Sequence, residues 1–218
     1  MAQIFPESAD TWLRAAVALA IVALVGSFFF GESIVRSAYI TQVALTPPQP
    51  VPFSHKHHVG ELGLDCRFCH TTVEKSADAG FPATHICMTC HSQLWTNAQM
   101  LAPVRQSLAE NRPLTWRRVA RLPDYVYFRH DIHVAKGVSC YECHGRVDEM
   151  PLTYRARALT MQMCIDCHRD PAPRLRPQKA LFQPEWQAPD PKRMAAILKR
   201  HYHVKSGRML THCGVCHR

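Results

Sequence analysis

The feature that most constrains this sequence is a short pattern, Cys-x-x-Cys-His, that occurs five times. The chain has 218 residues and ten cysteines, and every cysteine belongs to one of these patterns. No cysteine is left over for a disulfide bond or a catalytic nucleophile. In chain order, motifs one to five are Cys66/Cys69/His70, Cys87/Cys90/His91, Cys140/Cys143/His144, Cys164/Cys167/His168 and Cys213/Cys216/His217.

This pattern is the attachment motif of c-type haem, in which both cysteines form thioethers with the porphyrin and the histidine binds the iron. Zinc sites and thioredoxin-like redox pairs also use two cysteines at this spacing, but neither requires the histidine that follows. All five copies carry that histidine. We therefore predict five haem c groups held covalently by all ten cysteines, with proximal iron ligands His70, His91, His144, His168 and His217.

The compartment and the charge follow from the same motifs. Haem is attached to such motifs outside the cytoplasm, so we expect this part of the chain in the periplasm or an equivalent space. The chain is basic, with a net charge of +9, which often indicates nucleic-acid binding. Haem propionates would offset much of that charge, so we expect no nucleic acid and assign the basic side chains to propionates or to a partner protein.

So many haems in so short a chain leave little room for an ordinary apolar core. We therefore predict a mostly α-helical and irregular multihaem cytochrome c domain in which the haems form the core.

A membrane anchor is predicted near the N-terminus. Residues 12–30 are one apolar run, broken only by Arg14, that is long enough to span a bilayer as a helix. A cleaved signal peptide is the alternative, but no small-residue cleavage site follows the run. We expect a retained single transmembrane helix with its N-terminus in the cytoplasm, because the haem motifs must lie on the other side.

The predicted organisation has four parts. Residues 1–11 are a cytoplasmic N-terminus, 12–38 the transmembrane anchor, 39–52 a Pro-rich spacer, and 53–218 a periplasmic pentahaem domain. Within the last part we distinguish dihaem repeat 1 (53–91), a connecting segment (92–125), dihaem repeat 2 (126–169), and a Pro-rich strap with a single-haem unit (170–218).

An internal repeat identifies candidate distal ligands. The pattern Phe-x-His-x-x-His-Val begins at Phe53 and again at Phe128, and two haem motifs follow each copy. Histidines three residues apart lie on one face of a helical turn and cannot both reach one iron, so each copy is expected to serve two haems. The predicted distal ligands are His55, His58, His130 and His133. His57 points off that face and is not expected to bind iron.

The fifth distal ligand remains open on the residues alone. Met161 precedes motif four, and His201 and His203 precede motif five. A thioether ligand would raise the potential of its haem relative to two histidines.

Two short helices are predicted between and after the repeats. Leu101, Val104 and Leu108 have helical spacing, with Pro103 limiting the helix upstream. Asp190 followed by Pro191 is typical of a helix start, so a second helix is expected from residue 192 to about 200. His201 and His203 would then lie beyond its end.

At this point the sequence resembles a known family. The paired repeats resemble small multihaem cytochromes of the c3/c7 type. Residues 122–128 (Leu-Pro-Asp-Tyr-Val-Tyr-Phe), 143–151 (Cys-His-Gly-Arg-Val-Asp-Glu-Met-Pro) and 164–169 (Cys-Ile-Asp-Cys-His-Arg) fit a more specific layout. That layout is similar to the pentahaem cytochrome c subunit of alternative complex III, a quinol-oxidising complex.

The resemblance implies partners, a location and a ligand set. It implies an iron–sulfur subunit, polytopic quinol-binding membrane subunits and a mono-haem cytochrome c subunit, in the bacterial inner (cytoplasmic) membrane. It also implies mostly bis-His haems with one His/Met haem. Residues 159–161 match the family's segment there, which favours Met161, whereas Met163 stands where relatives are expected to carry Trp.

The expected function is non-catalytic electron transfer, with no catalytic residue, within a quinol:electron-acceptor oxidoreductase complex of a respiratory or photosynthetic chain. Electrons would leave to a soluble periplasmic blue copper protein or cytochrome c. The main alternative is a membrane-anchored multihaem quinol dehydrogenase of the NapC/NirT type, which would need a five-coordinate haem. A terminal reductase and a structural haem scaffold are further alternatives.

Overall fold

The computed structural model describes residues 4–217 and divides into two compact units, one ending at Gln42 and one beginning at Val43. Residues 1–3 of the predicted cytoplasmic N-terminus lie outside the described residues. Residue 218, the last of the predicted pentahaem domain, lies outside them as well.

The first unit is almost entirely helical. Helix α1 spans Ala9–Arg36 and is followed by the short helix α2, Ala38–Thr41. Its side chains are not buried, and its length and mean hydropathy of 2.2 suit a membrane-spanning helix. Ion pairs Arg14–Asp10 and Arg36–Glu32 lie four residues apart near its two ends. The apolar helix therefore begins a few residues before the predicted anchor.

The second unit consists of short helices and irregular segments. Its described α-helices are α3 Cys66–Cys69, α4 Thr84–His91, α5 Ala102–Ala109, α6 His130–Ala135, α7 Cys140–His144, α8 Met161–Arg169, α9 Pro191–His201 and α10 Gly207–Leu210. A π-helical turn spans Lys56–Glu61, and 3₁₀ turns span Gln99–Leu101, Val147–Glu149, Ala172–Arg174, Gln178–Ala180 and Cys213–Val215. Across residues 4–217, β pairing is confined to isolated bridges. The predicted helical and irregular architecture is confirmed.

The apolar core is divided into three small clusters. Their buried residues are Val51, Leu101 and Val104 in the first, Val73, Val134 and Leu181 in the second, and Leu175, Leu198 and Tyr202 in the third. Clusters this small bury little apolar surface, so they contribute little hydrophobic stabilisation for a unit of this length. The polypeptide alone therefore supplies only a modest core, as the sequence predicted.

The two predicted helices form, with one correction. Asp190 caps α9 by accepting a hydrogen bond from the Arg193 N–H at 3.1 Å, but His201 is the last residue of α9 and does not lie beyond it. Leu101, in the 3₁₀ turn before α5, is buried together with Val104, whereas Leu108 is 46% exposed.

The Pro-rich spacer is packed at its end. The Gln49 side chain makes two hydrogen bonds of 2.9 Å with the backbone of Arg117. Val51 is buried in the first cluster. The end of the spacer is therefore part of the second unit's fold.

The two repeats are interlocked. The first turn of α6 is held by repeat 1, because the N–H groups of His130 and Asp131 donate to the carbonyls of Ala77 and Ser76. In the other direction, the Lys56 N–H donates to the Met150 carbonyl at 2.9 Å, next to motif three. Each repeat thus stabilises the histidine-bearing turn of the other.

Candidate haem-binding sites

The paired histidines lie on helical turns in both repeats, but the turns differ. His130 and His133 lie on α6, whereas His58 lies on the π turn and His55 directly precedes it. The π turn is marked by the bond from the Leu62 N–H to the His57 carbonyl, five residues back. Single π turns are rare and are frequent at functional sites.

A phenylalanine orients both histidines in each repeat. Phe53 stacks on His58 with ring centroids 4.4 Å apart and meets His55 edge-on at 4.9 Å. The corresponding distances in the second repeat are 4.6 Å and 4.8 Å around Phe128. The phenylalanine that begins each repeat therefore supports both imidazoles. This role was not predicted from the sequence.

Three of the predicted distal histidines face a proximal histidine of a haem motif. The ring centroids are 6.2 Å apart for His58 and His91, 6.4 Å for His130 and His144, and 6.1 Å for His133 and His168. The two histidines of α6 therefore face two different motifs.

These separations suit one metal ion between two imidazoles. A metal–imidazole nitrogen distance is about 2.0 Å, which places the centroids of two opposed rings about 6 Å apart across one metal. The observed spacing of 6.1–6.4 Å leaves room for an iron and its porphyrin plane. The residues present therefore fit a six-coordinate haem.

Four of the five predicted proximal imidazoles have Nδ1 within hydrogen-bonding distance of a backbone carbonyl. Nδ1 of His70 lies 2.7 Å from the Gly80 carbonyl, and Nδ1 of His168 lies 3.0 Å from the Leu210 carbonyl. His91 bonds the Leu94 carbonyl and His217 the Tyr125 carbonyl in the same way. A carbonyl can only accept, so Nδ1 carries the hydrogen and the Nε2 lone pair stays available for a metal.

Three of the four predicted distal histidines also have Nδ1 bonded to a backbone carbonyl. Nδ1 of His58, His130 and His133 donates to the carbonyls of Ser54, Ala77 and Arg129, respectively, at 2.7–2.9 Å. His55 differs, because its Nδ1 lies 2.8 Å from the Thr153 hydroxyl. No sequence signal pointed to Thr153, which is 98 residues away.

His55 lies near His70 of motif one, and its pairing with that motif stays a prediction. Burial lowers the pKa of His55 to about 4, and His70 is the first of the neighbouring imidazoles that lower it further. Burial likewise lowers the pKa of His144 to about 4, with His130 and His70 acting in the same direction. Both imidazoles are thus neutral at physiological pH, the form that binds a metal.

The fifth motif is built differently. His217 bonds the Tyr125 backbone, and the Tyr125 ring lies 5.9 Å from the imidazole. Met161 begins α8 and its side chain is 66% exposed. His201 and His203 are also exposed. The choice among these three as the fifth distal ligand stays a prediction.

His57 is engaged elsewhere. Its Nδ1 lies 2.8 Å from a Glu61 carboxylate oxygen, and its ring stacks beside Trp95 at 6.4 Å. This position is consistent with the expectation that His57 does not bind iron.

The motifs follow one another in space in the order two, one, three, four, five. The thiols of Cys66 in motif one and Cys140 in motif three interact, which lowers the pKa of Cys66. Further shifts of thiol pKa values indicate the other neighbouring motifs. Besides burial, Cys87 raises that of Cys69, Cys167 that of Cys143, and Cys216 that of Cys164. In a protein with attached haem these thiols would be thioethers, so the contacts stand for adjacency alone.

Two of the predicted attachment cysteines lie at the surface and not in a core. Cys90 and Cys213 are exposed, whereas the other eight cysteines are partly covered. The Thr89 hydroxyl lies 3.9 Å from the Cys90 sulfur. The expectation that the haems form the core stays a prediction, including around Cys90. The thioether bond of Cys90 to haem stays a prediction, as does that of Cys213.

One buried polar atom near the first repeat is unsatisfied. The Trp116 ring meets Phe53 edge-on at 6.5 Å, and its Nε1 has no hydrogen-bond partner among the described residues. A buried N–H of this kind calls for an acceptor that the polypeptide does not provide. A haem propionate is an acceptor of suitable chemistry.

The large cavity near the first repeat is not a histidine site. It has a volume of about 930 Å³, and neither histidine nor cysteine lines it. Its wall includes Arg146, which pairs with Asp148 at 2.7 Å and Glu149 at 3.0 Å. The cavity therefore belongs to an ion-pair cluster and not to the imidazole pairs.

Comparison with known proteins gives one informative similarity. No protein-family model matches the sequence. The chain is 31% identical over 125 residues to the multihaem cytochrome c subunit of menaquinone reductase from Nitratidesulfovibrio vulgaris. The alignment covers 57% of this chain and 53% of that protein. The chain therefore spans about half the length of the relative that it matches.

Proposed function

We propose that this chain is a multihaem cytochrome c that transfers electrons as a subunit of a membrane quinol oxidoreductase complex. The observation that carries the proposal is the set of three opposed imidazole pairs at 6.1–6.4 Å, each joining a repeat histidine to a haem motif. The similarity to a multihaem cytochrome c subunit of menaquinone reductase supports the quinol assignment.

In this proposal, the cysteines, histidines and Met161 would hold the haems in place. When bound, a c-type haem supplies reversible one-electron storage on its iron. The ten cysteines would attach five haems, and the proximal ligands would be His70, His91, His144, His168 and His217. The distal ligands would be His55, His58, His130, His133 and Met161. Two strong axial ligands on an iron leave no open position for a substrate, so we assign no catalytic residue.

The row of motifs suggests a path for electrons. Motifs two and five stand at its ends, and motif three lies between motifs one and four. Electrons entering at one end would pass the intermediate sites in turn, with the protein adjusting each potential through ligand identity, hydrogen bonding and burial.

The finer assignment is a subunit of the alternative complex III type. Its partners would be an iron–sulfur subunit, polytopic quinol-binding subunits and a mono-haem cytochrome c subunit, with a soluble blue copper protein or cytochrome c as acceptor. The apolar helix α1 would anchor the chain in the inner membrane. The second unit would then lie on the periplasmic side, where haem is attached.

Purification of the full chain in mild detergent tests this proposal. We expect covalent haem at all five motifs by peptide mass spectrometry, co-purifying iron–sulfur and polytopic subunits, and haem reduction on addition of menaquinol. Five haems without those subunits would contradict the alternative complex III assignment. Motifs that carry zinc or remain free thiols would contradict the cytochrome assignment itself.

The ligand assignment has its own test. We expect His130→Gln and His133→Gln to convert two different haems to altered spin or potential, because the two rings face His144 and His168, respectively. His57→Gln is the matched control, because His57 is bonded to Glu61 and should leave every haem spectrum unchanged. Identical spectra for the two α6 variants would refute the pairing.

A further inference from the structure

The positive charge of the chain is concentrated at its carboxyl end. Residues 191–218 contain seven lysines and arginines and neither aspartate nor glutamate. This segment therefore contributes +7 of the net charge of +9. The remaining 190 residues are close to neutral by comparison.

These cations face solvent without ion-pair partners. Within residues 4–217, none of the six described cations of the segment forms a salt bridge, and all except the half-buried Lys199 are exposed: Lys192, Arg193, Lys199, Arg200, Lys205 and Arg208. Arginines elsewhere are often paired, as in Arg118 with Asp78 and Arg174 with Glu142. The carboxyl-terminal segment is thus a basic surface with its charge uncompensated by the protein.

The apolar face of α9 packs against the rest of the second unit. Leu198 is buried against Leu175 and Tyr202, and Met194 packs on the same cluster. A helix that binds a membrane surface needs a free apolar face to insert between lipids. The packing of α9 leaves an outward face that carries its cations and a single large apolar side chain, Ile197, which favours a protein partner over a lipid surface.

Part of this basic surface lies beside motif four and leads directly into motif five. Helix α10, which carries Arg208, packs against the end of α8, where a Cβ on Gly207 would collide with the Arg169 carbonyl. The carbonyl of Leu210, the last residue of α10, accepts a hydrogen bond from His168 of motif four. The exposed Cys213, which begins motif five, comes three residues later in the chain. Motifs four and five are therefore bordered by the part of the basic surface that carries Arg208.

The opposite end of the row has a different surface. Near motif two, Leu94, Trp95 and Met100 are exposed apolar side chains. Apolar surface is typical of permanent subunit interfaces, whereas uncompensated charge is typical of transient, electrostatically steered encounters. The two ends therefore suit two kinds of contact.

We propose that the basic surface of residues 191–217 is the docking face for a soluble redox protein with an acidic face, which exchanges electrons at motif five. This inference rests on the proposed electron-transfer function and adds the place and the charge of the partner. Complementary charge raises association rates by about 10–10³-fold and does so most strongly at low ionic strength.

The test uses the full haem-loaded chain in detergent, reduced with dithionite and freed of excess reductant. The probes are ferric mono-haem cytochrome c in its native basic form and the same protein with its lysines succinylated, which makes it acidic. Stopped-flow absorbance measures the transfer of one electron to each probe. We expect the acidic probe to be reduced at least about tenfold faster than the basic probe at low salt, with the rates converging at high salt.

Charge reversal locates the surface. The variant Lys205→Glu/Arg208→Glu should slow reduction of the acidic probe by about tenfold at low salt. Lys75→Glu/Lys179→Glu is the control, because it makes the same charge change at exposed lysines outside the segment. Equal rates for the two variants with the acidic probe would overturn the proposal.

Two further outcomes are decisive. If neither probe is reduced by the wild-type chain, the electron-transfer function fails, whereas reduction that is indifferent to charge reversal removes only the docking surface. If Lys192 and Lys205 become protected from acylation in nanodiscs containing phosphatidylserine but not in pure phosphatidylcholine, the surface binds lipid and the proposal is wrong.

Discussion

At the scale of single residues, the angle between opposed imidazole planes differs from site to site. The rings of His130 and His144 are nearly parallel at 8°, whereas those of His58 and His91 are inclined by 66°. Parallel rings split two iron d orbitals strongly, and crossed rings leave them nearly degenerate. The sites should therefore be distinguishable by electron paramagnetic resonance.

We expect the oxidised protein to show a highly anisotropic low-spin signal from the His58/His91 site and an ordinary rhombic signal from the His130/His144 site. Phe53→Leu should alter the anisotropic signal, because Phe53 stacks on His58. Phe128→Leu is the matched control and should leave that signal in place. An unchanged spectrum in Phe53→Leu would show that the phenylalanine does not orient the ring.

Trp116 provides a second residue-scale prediction. If its buried Nε1–H donates to a propionate, Trp116→Phe leaves that carboxylate with more effective negative charge and lowers the midpoint potential of one haem. A spectroelectrochemical titration measures this shift. Trp95→Phe serves as the control, because the Trp95 side chain is exposed. Identical titrations for Trp116→Phe and wild type would remove the propionate contact.

Sequence reasoning found the residues of the pairs but not their supports. The histidines could be predicted because chemistry fixes their type and the repeat fixes their spacing. Thr153 and the carbonyls of Gly80 and Ala77 could not, because almost any residue supplies a backbone carbonyl and a lone hydroxyl carries no pattern. The exposure of Cys90 could not be predicted either, since all five motifs read alike in sequence and differ only in their place along the row.

At the scale of elements, the start of α9 is fixed by its capping residue and its first helical residue. The Asp190 side chain bonds the Arg193 N–H, and Pro191 occupies the first helical turn. We expect Asp190→Ala to lower the free energy of unfolding by about 1 kcal/mol, whereas Asp190→Asn should nearly retain it. Denaturant unfolding followed by far-ultraviolet circular dichroism measures the difference. Equal losses in both variants would contradict a capping role.

The π turn of repeat 1 is fitted closely against the segment after motif three. A Cβ on Gly60 would collide with the Asp148 carbonyl, whereas at Gly214 it would meet only ordinary contacts at 3.5 Å and beyond. We therefore expect Gly60→Ala to destabilise the protein by about 1–3 kcal/mol. Thermal unfolding measures the change, and Gly214→Ala, the control, should leave the stability nearly unchanged. Equal losses of stability in the two variants would mean that the π turn can move away from Asp148.

The presence of a helix was easier to predict from the sequence than whether a turn is α, 3₁₀ or π. Asp190 and Pro191 act locally, so the start of α9 could be read directly from the sequence. The 3₁₀ winding of Gln99–Leu101 could not be predicted, because the spacing of apolar residues does not distinguish a 3₁₀ turn from the first turn of an α-helix. The π form of the first repeat was also not predictable, since both repeats share the same histidine spacing.

At the scale of the whole molecule, the proposed electron transfer along the row of motifs would make the third site a necessary intermediate. His130→Met would raise the potential of that site, because thioether ligation raises haem potentials. The equilibrium constant for passing an electron from this site to motif four would then fall about tenfold for each 59 mV of the increase, which disfavours that step.

We therefore expect oxidation of the reduced chain by an external acceptor to become biphasic in this variant, with a fast fraction from motifs four and five. His58→Met is the control, because motif two stands at the end of the row and lies on no route between the others. Stopped-flow spectroscopy distinguishes the two. A single fast phase in His130→Met would show that electrons bypass the third site.

The long reach of the bond between His55 and Thr153 also bears on how such a chain matures. A chain that crosses a membrane from its N-terminus exposes His55 well before the residue 98 positions later that holds its ring. His130 differs, because the Ala77 carbonyl that holds its ring has already emerged. If haems are attached in chain order, the ring of His55 would thus gain its hydroxyl partner only after much of repeat 2 has been delivered.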